Sequence, residues 1–269
     1  MLVADRIAER FGFKLLAMGP FLRKDVRVSY RPRQADRVAE TGADERWAQA
    51  QRDASARGLV LHNGLLYRLA AWQATESSLL LDLCDTDYRS YVETRAGGAP
   101  EPADPLALCV ALQTSDGRLL VEQRGSVDVY AGRLHVVGGF LERDLDGSGG
   151  KAPDVWSAMA RETEEETSFA LRPESLTLAG LAYDLRTPHP ELCFSGTLSA
   201  GLDEVRQRGA GRAEFKDILE VEDAPVRLAE LLVASVDRIS PTGAAALVLH
   251  GRLNYGAAWL DALGGRFRA

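Results

Sequence analysis

The sequence lacks the features of a membrane, secreted or disulfide-built protein. Its three cysteines, Cys84, Cys109 and Cys193, are far apart, odd in number and without CxxC spacing. That argues against a disulfide scaffold or a zinc site and for reduced thiols. No apolar run approaches the roughly 20 residues that a membrane-spanning helix needs. Asp5, Arg6, Glu9 and Arg10 stand where a signal peptide would carry its apolar core. Positive charge is short: 32 Lys and Arg against 39 Asp and Glu leave a formal net charge of -7. Such a balance argues against broad contact with nucleic acid or an anionic membrane surface. The four histidines, His62, His135, His189 and His250, show no ligand spacing, and Gly147–Gly150 lacks the following Lys-Ser/Thr of a phosphate loop. A cytoplasmic protein without nucleic-acid or membrane partners is expected.

At 269 residues with 46% hydrophobic content, the chain can bury a full core in one large or two modest domains. Residues 1–57 read as charged and mixed, with a helix near Asp44–Ala56. Leu59–His62, Leu65–Trp72 and Leu79–Leu83 read as strands, the first two joined in a hairpin at Asn63-Gly64. Asp85–Arg95 reads as a short helix and Ala96–Pro105 as a connector. Beyond it, Leu106–Leu112 is a nearly continuous apolar strand, with Arg118–Gln123 as its return. Further strands are expected at Leu176–Tyr183, Leu192–Leu198 and Phe215–Val221, and helices at Leu202–Arg208, Ala224–Leu232 and Pro241–Leu253. Strands interspersed with helices and a hairpin suggest a mixed-sheet α/β sandwich. The division expected is 1–100, an N-terminal α+β extension, and 101–269, a main domain.

The most informative stretch lies between them. Leu134–Val137 runs into Gly138-Gly139, and a helix from about Asp154 to Ser168 carries Arg161, Glu162, Glu165 and Glu166. On a helix, carboxylates at i, i+3 and i+4 share one face. Each like-charge pair costs roughly 0.2–0.5 kcal/mol on an isolated helix. A divalent cation among them would offset that cost, and hard oxygen donors suit Mg²⁺. A charge run is more often a solvated helix face. Here the Gly-Gly turn before it, and a separate stripe of Trp156, Ala160, Thr163 and Thr167 to dock the helix, favour a metal site. Glu142 is a further candidate ligand, Arg161 a brace for Glu165, and Arg124 a candidate phosphate contact. Asp154 reads as a helix cap. Tyr67, Tyr88, Tyr91 and Trp72 could stack on a base, though core positions are more usual.

These residues resemble the Nudix box, G-x5-E-x7-R-E-U-x-E-E-x-G-U with U a bulky apolar residue. Gly139 matches its first glycine, Arg161-Glu162 its R-E and Glu165-Glu166 its E-E. Gly139 to Arg161 is 22 positions, eight more than that pattern, and Gly147-Ser148-Gly149-Gly150 would supply the insertion. Pro153 falls where the box has its first Glu, and Ser168 where it has its late glycine. The resemblance implies a Nudix-type α/β/α sandwich and hydrolysis of a nucleoside diphosphate linked to another group. It implies metal held by Glu162, Glu165 and Glu166 with Glu142 and the Gly139 carbonyl, and catalytic roles for those three glutamates and Arg161. Mg²⁺ is the expected ion, with Mn²⁺ as a substitute.

A narrower likeness covers most of the chain. Leu81-Asp82-Leu83, Thr86–Tyr91, Ala103–Leu106 and Ser240–Ala246 look like the Nudix subfamily that hydrolyses UDP-glucose and UDP-galactose. It implies UDP-sugar conversion to UMP and a sugar 1-phosphate, by a chain compatible with a homodimer. The alternatives are hydrolysis of another derivative such as ADP-ribose, and a Nudix-fold binding or regulatory protein without turnover.

Overall fold

The computed structural model describes residues 3–32, 42–97, 99, 101–147, 150–209 and 215–267. In chain order these form α1 (Val3–Phe11), β1 (Phe13–Phe21), β2 (Val26–Tyr30), α2 (Ala43–Ala56), β3 (Leu65–Ala74), β4 (Leu79–Asp87) and α3 (Tyr88–Arg95). Then come β5 (Ala107–Gln113), β6 (Arg118–Arg124), β7 (Leu134–His135), β8 (Val137–Phe140), α4 (Arg143–Asp146) and α5 (Val155–Thr167). The chain continues with β9 (Thr177–Asp184), β10 (His189–Thr197), α6 (Leu202–Gly209), β11 (Phe215–Glu222), α7 (Pro225–Ala234), α8 (Pro241–Tyr255) and α9 (Ala257–Arg266).

The near-continuous apolar character of β5 follows from its position. It lies inside an eight-stranded sheet ordered β1-β9-β10-β5-β6-β11, with β7 on β6 and β8 on β5. The β10–β5 pair is parallel and the remaining pairs are antiparallel, so the sheet is mixed. Alternate side chains of β5 serve two cores, as the pleat requires. Leu108, Val110 and Leu112 pack with Trp156 and Met159 of α5. Cys109 and Ala111 pack with α8, α1 and α9 on the opposite face. Helices therefore cover both faces, and the α/β/α sandwich with a mixed sheet holds.

A second sheet, β2-β4-β3, is built from the N-terminal half. Leu69, Leu79, Leu81 and Leu83 turn its apolar face into the same core as α5. Backbone bonds tie it to the large sheet: Leu106 N–H donates to Tyr67 O at 2.8 Å and Tyr67 N–H to Leu141 O at 3.2 Å. The hairpin expected at Asn63-Gly64 is not formed. Residues 59–64 are irregular, and β3 returns into β4 through a turn in which Thr75 N–H donates to Ser78 O at 2.9 Å. Asn63 Oδ1 instead accepts from Arg89 N–H and Gly64 O from Tyr88 N–H, so this segment binds the start of α3.

Residues 1–57 contribute more than one helix. Ile7, Ala8 and Phe11 bury one side of α1, and β1 becomes an edge strand of the large sheet against β9. The charged residues that dominate this segment occupy the other face of α1. Beyond the expected helices lies α9, which Trp259, Leu260 and Leu263 seat in the core with α8.

Candidate active site

Helix α5 starts and stops where its sequence dictates. Asp154 caps it, its side chain accepting from Trp156 N–H at 3.2 Å and Ser157 Oγ at 2.8 Å. Ser168 ends it at φ 64, the left-handed conformation that favours glycine. Thr163 and Thr167 donate their hydroxyls back to Met159 O and Thr163 O at 2.9 and 2.6 Å, which lets both threonines sit in an apolar interface. Val155 and Met159 do the docking expected of Ala160, which is only half-buried.

Packing on that side draws Glu162 and Glu166 inward while Glu165 stays exposed. Gly138 and Gly139 make room. A Cβ on Gly138 would lie 2.3 Å from Leu108 O on the paired strand, and one on Gly139 would lie 2.8 Å from the Glu162 carboxylate. The Gly138 N–H donates to Glu166 Oε2 at 3.2 Å. Burial, aided by the charge of Glu165 against the opposing Arg161, pushes the Glu162 carboxyl up to about 7. Burial likewise raises Glu142, with Arg161 opposing it and Asp146 and Glu165 adding to it.

Arg161 is a hub. Its Nη1 lies 2.8 Å from Glu165 and its Nη2 2.9 Å from Glu162. It also grips Asp146 with two bonds, Nε to Oδ1 at 2.9 Å and Nη2 to Oδ2 at 3.0 Å. The fork geometry suits a bidentate carboxylate. Asp146 comes from the stretched loop, at the end of α4, and also accepts from Glu142 N–H at 2.8 Å. The loop thus supplies a carboxylate for Arg161 although Pro153 stands at the box's Glu position. Of the glycine-rich insertion, Ser148 and Gly149 lie outside the described residues.

One cleft of about 670 Å³ gathers these parts. Gly139, Glu142, Glu162, Glu165 and Glu166 line it together with Arg124 and Glu122 of β6. Arg161 does not line it; it reaches the cleft only through Glu162 and Glu165. His62, Gly64, Leu66, Tyr88, Val127 and Phe140 form the remaining wall, much of it from the N-terminal half. Glu122 carries no motif and went unmarked in the sequence. The pairing of β6 with β7 and β11, opposite His135 and Ile218, places it here. Arg124 is the only Arg or Lys among the residues described as lining the cleft, and its Nε is buried without a hydrogen-bond partner.

The donors suit a hard divalent cation, since all are carboxylate or backbone oxygens. The missing Cβ at Gly139 lets the Glu162 carboxylate close on that strand, which would bring the Gly139 backbone and that carboxylate toward one ion. Among the described residues, no three or more His, Cys, Asp or Glu groups converge into a ready-made cage. The carboxylates line the walls of the cleft instead. No described helix is long and apolar enough to cross a membrane.

Comparison with known proteins gave no family-model match and no match among curated sequences. Solved structures with a related arrangement of elements exist. One is a bifunctional NMN adenylyltransferase/ADP ribose pyrophosphatase of Francisella tularensis, complexed with AMP and a Mn ion. It is 15% identical with a TM-score of 0.38, over 61% of this chain and 45% of that one. This chain therefore matches less than half of the Francisella protein. A second is a protein of Deinococcus radiodurans, 14% identical with a TM-score of 0.40, over 69% of this chain and 96% of that one. A third, Tm1382, is described provisionally as a Nudix hydrolase; it is 17% identical with a TM-score of 0.37, over 54% and 69% of the two chains. Likeness at this level assigns neither family nor activity.

Proposed function

We propose that this chain is a divalent-metal-dependent hydrolase of a nucleoside diphosphate joined to a second group. The observation that carries the reading is the composition of one cleft: five glutamates, a glycine pair and an Arg whose buried Nε has no partner. An acidic cleft repels a diphosphate, and a cation held by Glu162, Glu165 and Glu166, with Glu142 and the Gly139 carbonyl beside them, would reverse that. Mg²⁺, or Mn²⁺ in its place, would supply charge neutralisation and acidification of water.

The chain's own groups do the rest. Arg124 receives a phosphate oxygen. Arg161 fixes Glu162 and Glu165, and Asp146 fixes Arg161. The oxygen of a water bonds to one phosphorus, the bridging P–O bond breaks, and its electron pair leaves on the departing phosphate. The water's proton passes to a carboxylate of the cleft wall.

By the subfamily likeness of the sequence, the substrate is a UDP-hexose, giving UMP and a sugar 1-phosphate. ADP-ribose is the competing substrate, and a fold retained for binding alone is the competing class. The test is release of nucleoside monophosphate from UDP-glucose, UDP-galactose and ADP-ribose, each with and without Mg²⁺. Metal-dependent UMP release is expected. Turnover of ADP-ribose alone would overturn the UDP-sugar assignment, and no metal-dependent product from any substrate would overturn the enzyme reading.

A further inference from the structure

One wall of the cleft is held by a contact no motif announces. Segment 125–133 joins β6 to β7, starting beside Arg124 and sending Val127 into the cleft. Asp128, next to Val127, accepts from three residues far away in sequence. Tyr88 Oη donates at 2.7 Å, Arg95 Nη2 at 2.5 Å and Arg57 Nη2 at 2.9 Å. Tyr88 and Arg95 are the two ends of α3, and Arg57 directly follows α2. One carboxylate therefore ties the loop to both N-terminal helices.

The same contact orients the wall. Tyr88 lines the cleft, and its ring meets Phe140, another lining residue, edge-on at 6.1 Å. Arg95 lies over the Tyr91 ring at 4.8 Å and the Tyr88 ring at 5.9 Å, so its guanidinium is stacked as well as paired. Burial works against the Asp128 charge, but the Tyr88 hydroxyl and Arg95 hold its carboxyl below the usual range. On the far side, Tyr130 donates to Asp184 of β9 at 2.8 Å, which pegs the other end of the loop to the large sheet. The loop thus hangs between two pegs, with Val127 and Tyr88 both lining the cleft.

Leu66, Tyr88, Val127 and Phe140, with His62 and Gly64 beside them, make this wall largely apolar and aromatic. It offers little to the many hydroxyls of a sugar and suits the face of a flat heterocycle. We infer that Asp128 is a positioning residue for the nucleoside, pinning Val127 and Tyr88 into a surface that receives the base while the glutamates and Arg124 hold the diphosphate. This rests on the hydrolase reading above.

The test compares the wild type with Asp128→Asn and with Arg57→Ala, which removes one exposed arm and leaves Arg95 and Tyr88 in place. KM and kcat are measured on whichever nucleoside diphosphate derivative the wild type turns over. Inhibition by the matching nucleoside monophosphate is measured beside inhibition by inorganic pyrophosphate. Asp128→Asn should raise KM and the nucleotide inhibition constant about tenfold, with kcat and the pyrophosphate constant within about twofold. Arg57→Ala should move the same quantities the same way by about threefold. Equal weakening of nucleotide and pyrophosphate, or a fall in kcat with KM unchanged, would show a merely structural role and overturn the inference. So would unchanged constants in both variants. A wild type that turns over nothing overturns the hydrolase reading and this inference with it.

Discussion

Helices α5 and α8 cover opposite faces of one sheet by different means. From Pro241 to Gly251 every residue of α8 is buried, and all but Thr242 and His250 are apolar or glycine. It approaches closely: a Cβ on Gly180 of β9 would lie 2.9 Å from Leu249. α5 seats Val155, Trp156 and Met159 in the same manner but buries Glu162 and Glu166 beside them. Taking an ionised carboxylate out of water costs several kcal/mol unless it is compensated. α8 demonstrates that this sheet can be covered without that cost. Under the proposed function, the carboxylates of α5 answer a demand other than folding.

Substitutions that exchange the character of the two helices should separate activity from stability. The largest effect is expected at Glu162→Gln and Glu166→Gln. Each should lower kcat/KM by at least about 100-fold in steady-state assays, equivalent to about 2.7 kcal/mol of transition-state stabilisation. Their melting temperatures should hold or rise, because a like charge leaves a crowded face. The reverse is expected on α8. Leu247→Ala, at a fully buried position, should cost about 2–5 kcal/mol in denaturant unfolding, with kcat/KM per folded molecule unchanged. Next comes Arg124→Ala, which should raise KM about tenfold while Arg124→Lys recovers part of the loss.

The smallest effect is a pH dependence shared by neither helix alone. Burial, with Arg124 adding to it, lowers His135 to about 3, so the folded state keeps its imidazole neutral. The unfolded imidazole titrates near 6.5. Its contribution to stability is complete above that value and is lost as pH falls below it, by up to about 1.4 kcal/mol per pH unit. Glu191, lowered to about 2 despite burial by His189 and His135, acts in the same direction below its unfolded value of 4.5. His189 is raised by Glu191 despite its own burial, so its contribution is present below 6.5 and fades as pH rises through the folded value. Glu162, raised to about 7, opposes this between pH 4.5 and 7, so the readout is the difference between two proteins. In melting curves from pH 4 to 8, His135→Gln should lose less stability than the wild type as pH falls below 6.5.

Local pattern made much of this legible. The unbroken apolar run of β5 follows from burial on both faces. Asp154 and Ser168 bracket α5, and the spacing of Glu162, Glu165 and Glu166 places them on one helix. What stayed hidden depends on chain contacts between distant residues. Asp146 looks like any loop acid until Arg161 closes on it. Glu122 follows an apolar run in a strand and gains meaning only when β6 takes its place in the sheet. Asp128 draws its partners from positions 57, 88 and 95, separations at which sequence carries no signal. Asn63-Gly64 misled because tight-turn chemistry is local, whereas here Asn63 and Gly64 are claimed by the start of α3.

Thermal unfolding of the wild type and of Glu166→Gln in increasing Mg²⁺ tests the meaning of the buried carboxylates most directly. An ion that binds only the folded state stabilises it by RT ln(1 + c/Kd) at Mg²⁺ concentration c, so the melting temperature climbs with the logarithm of concentration once the site fills. The wild type should gain a rise that continues with the logarithm of Mg²⁺ concentration and that Glu166→Gln loses, although Gln can still accept from Gly138. The same Mg²⁺ response in both proteins, or none in the wild type, would contradict the account.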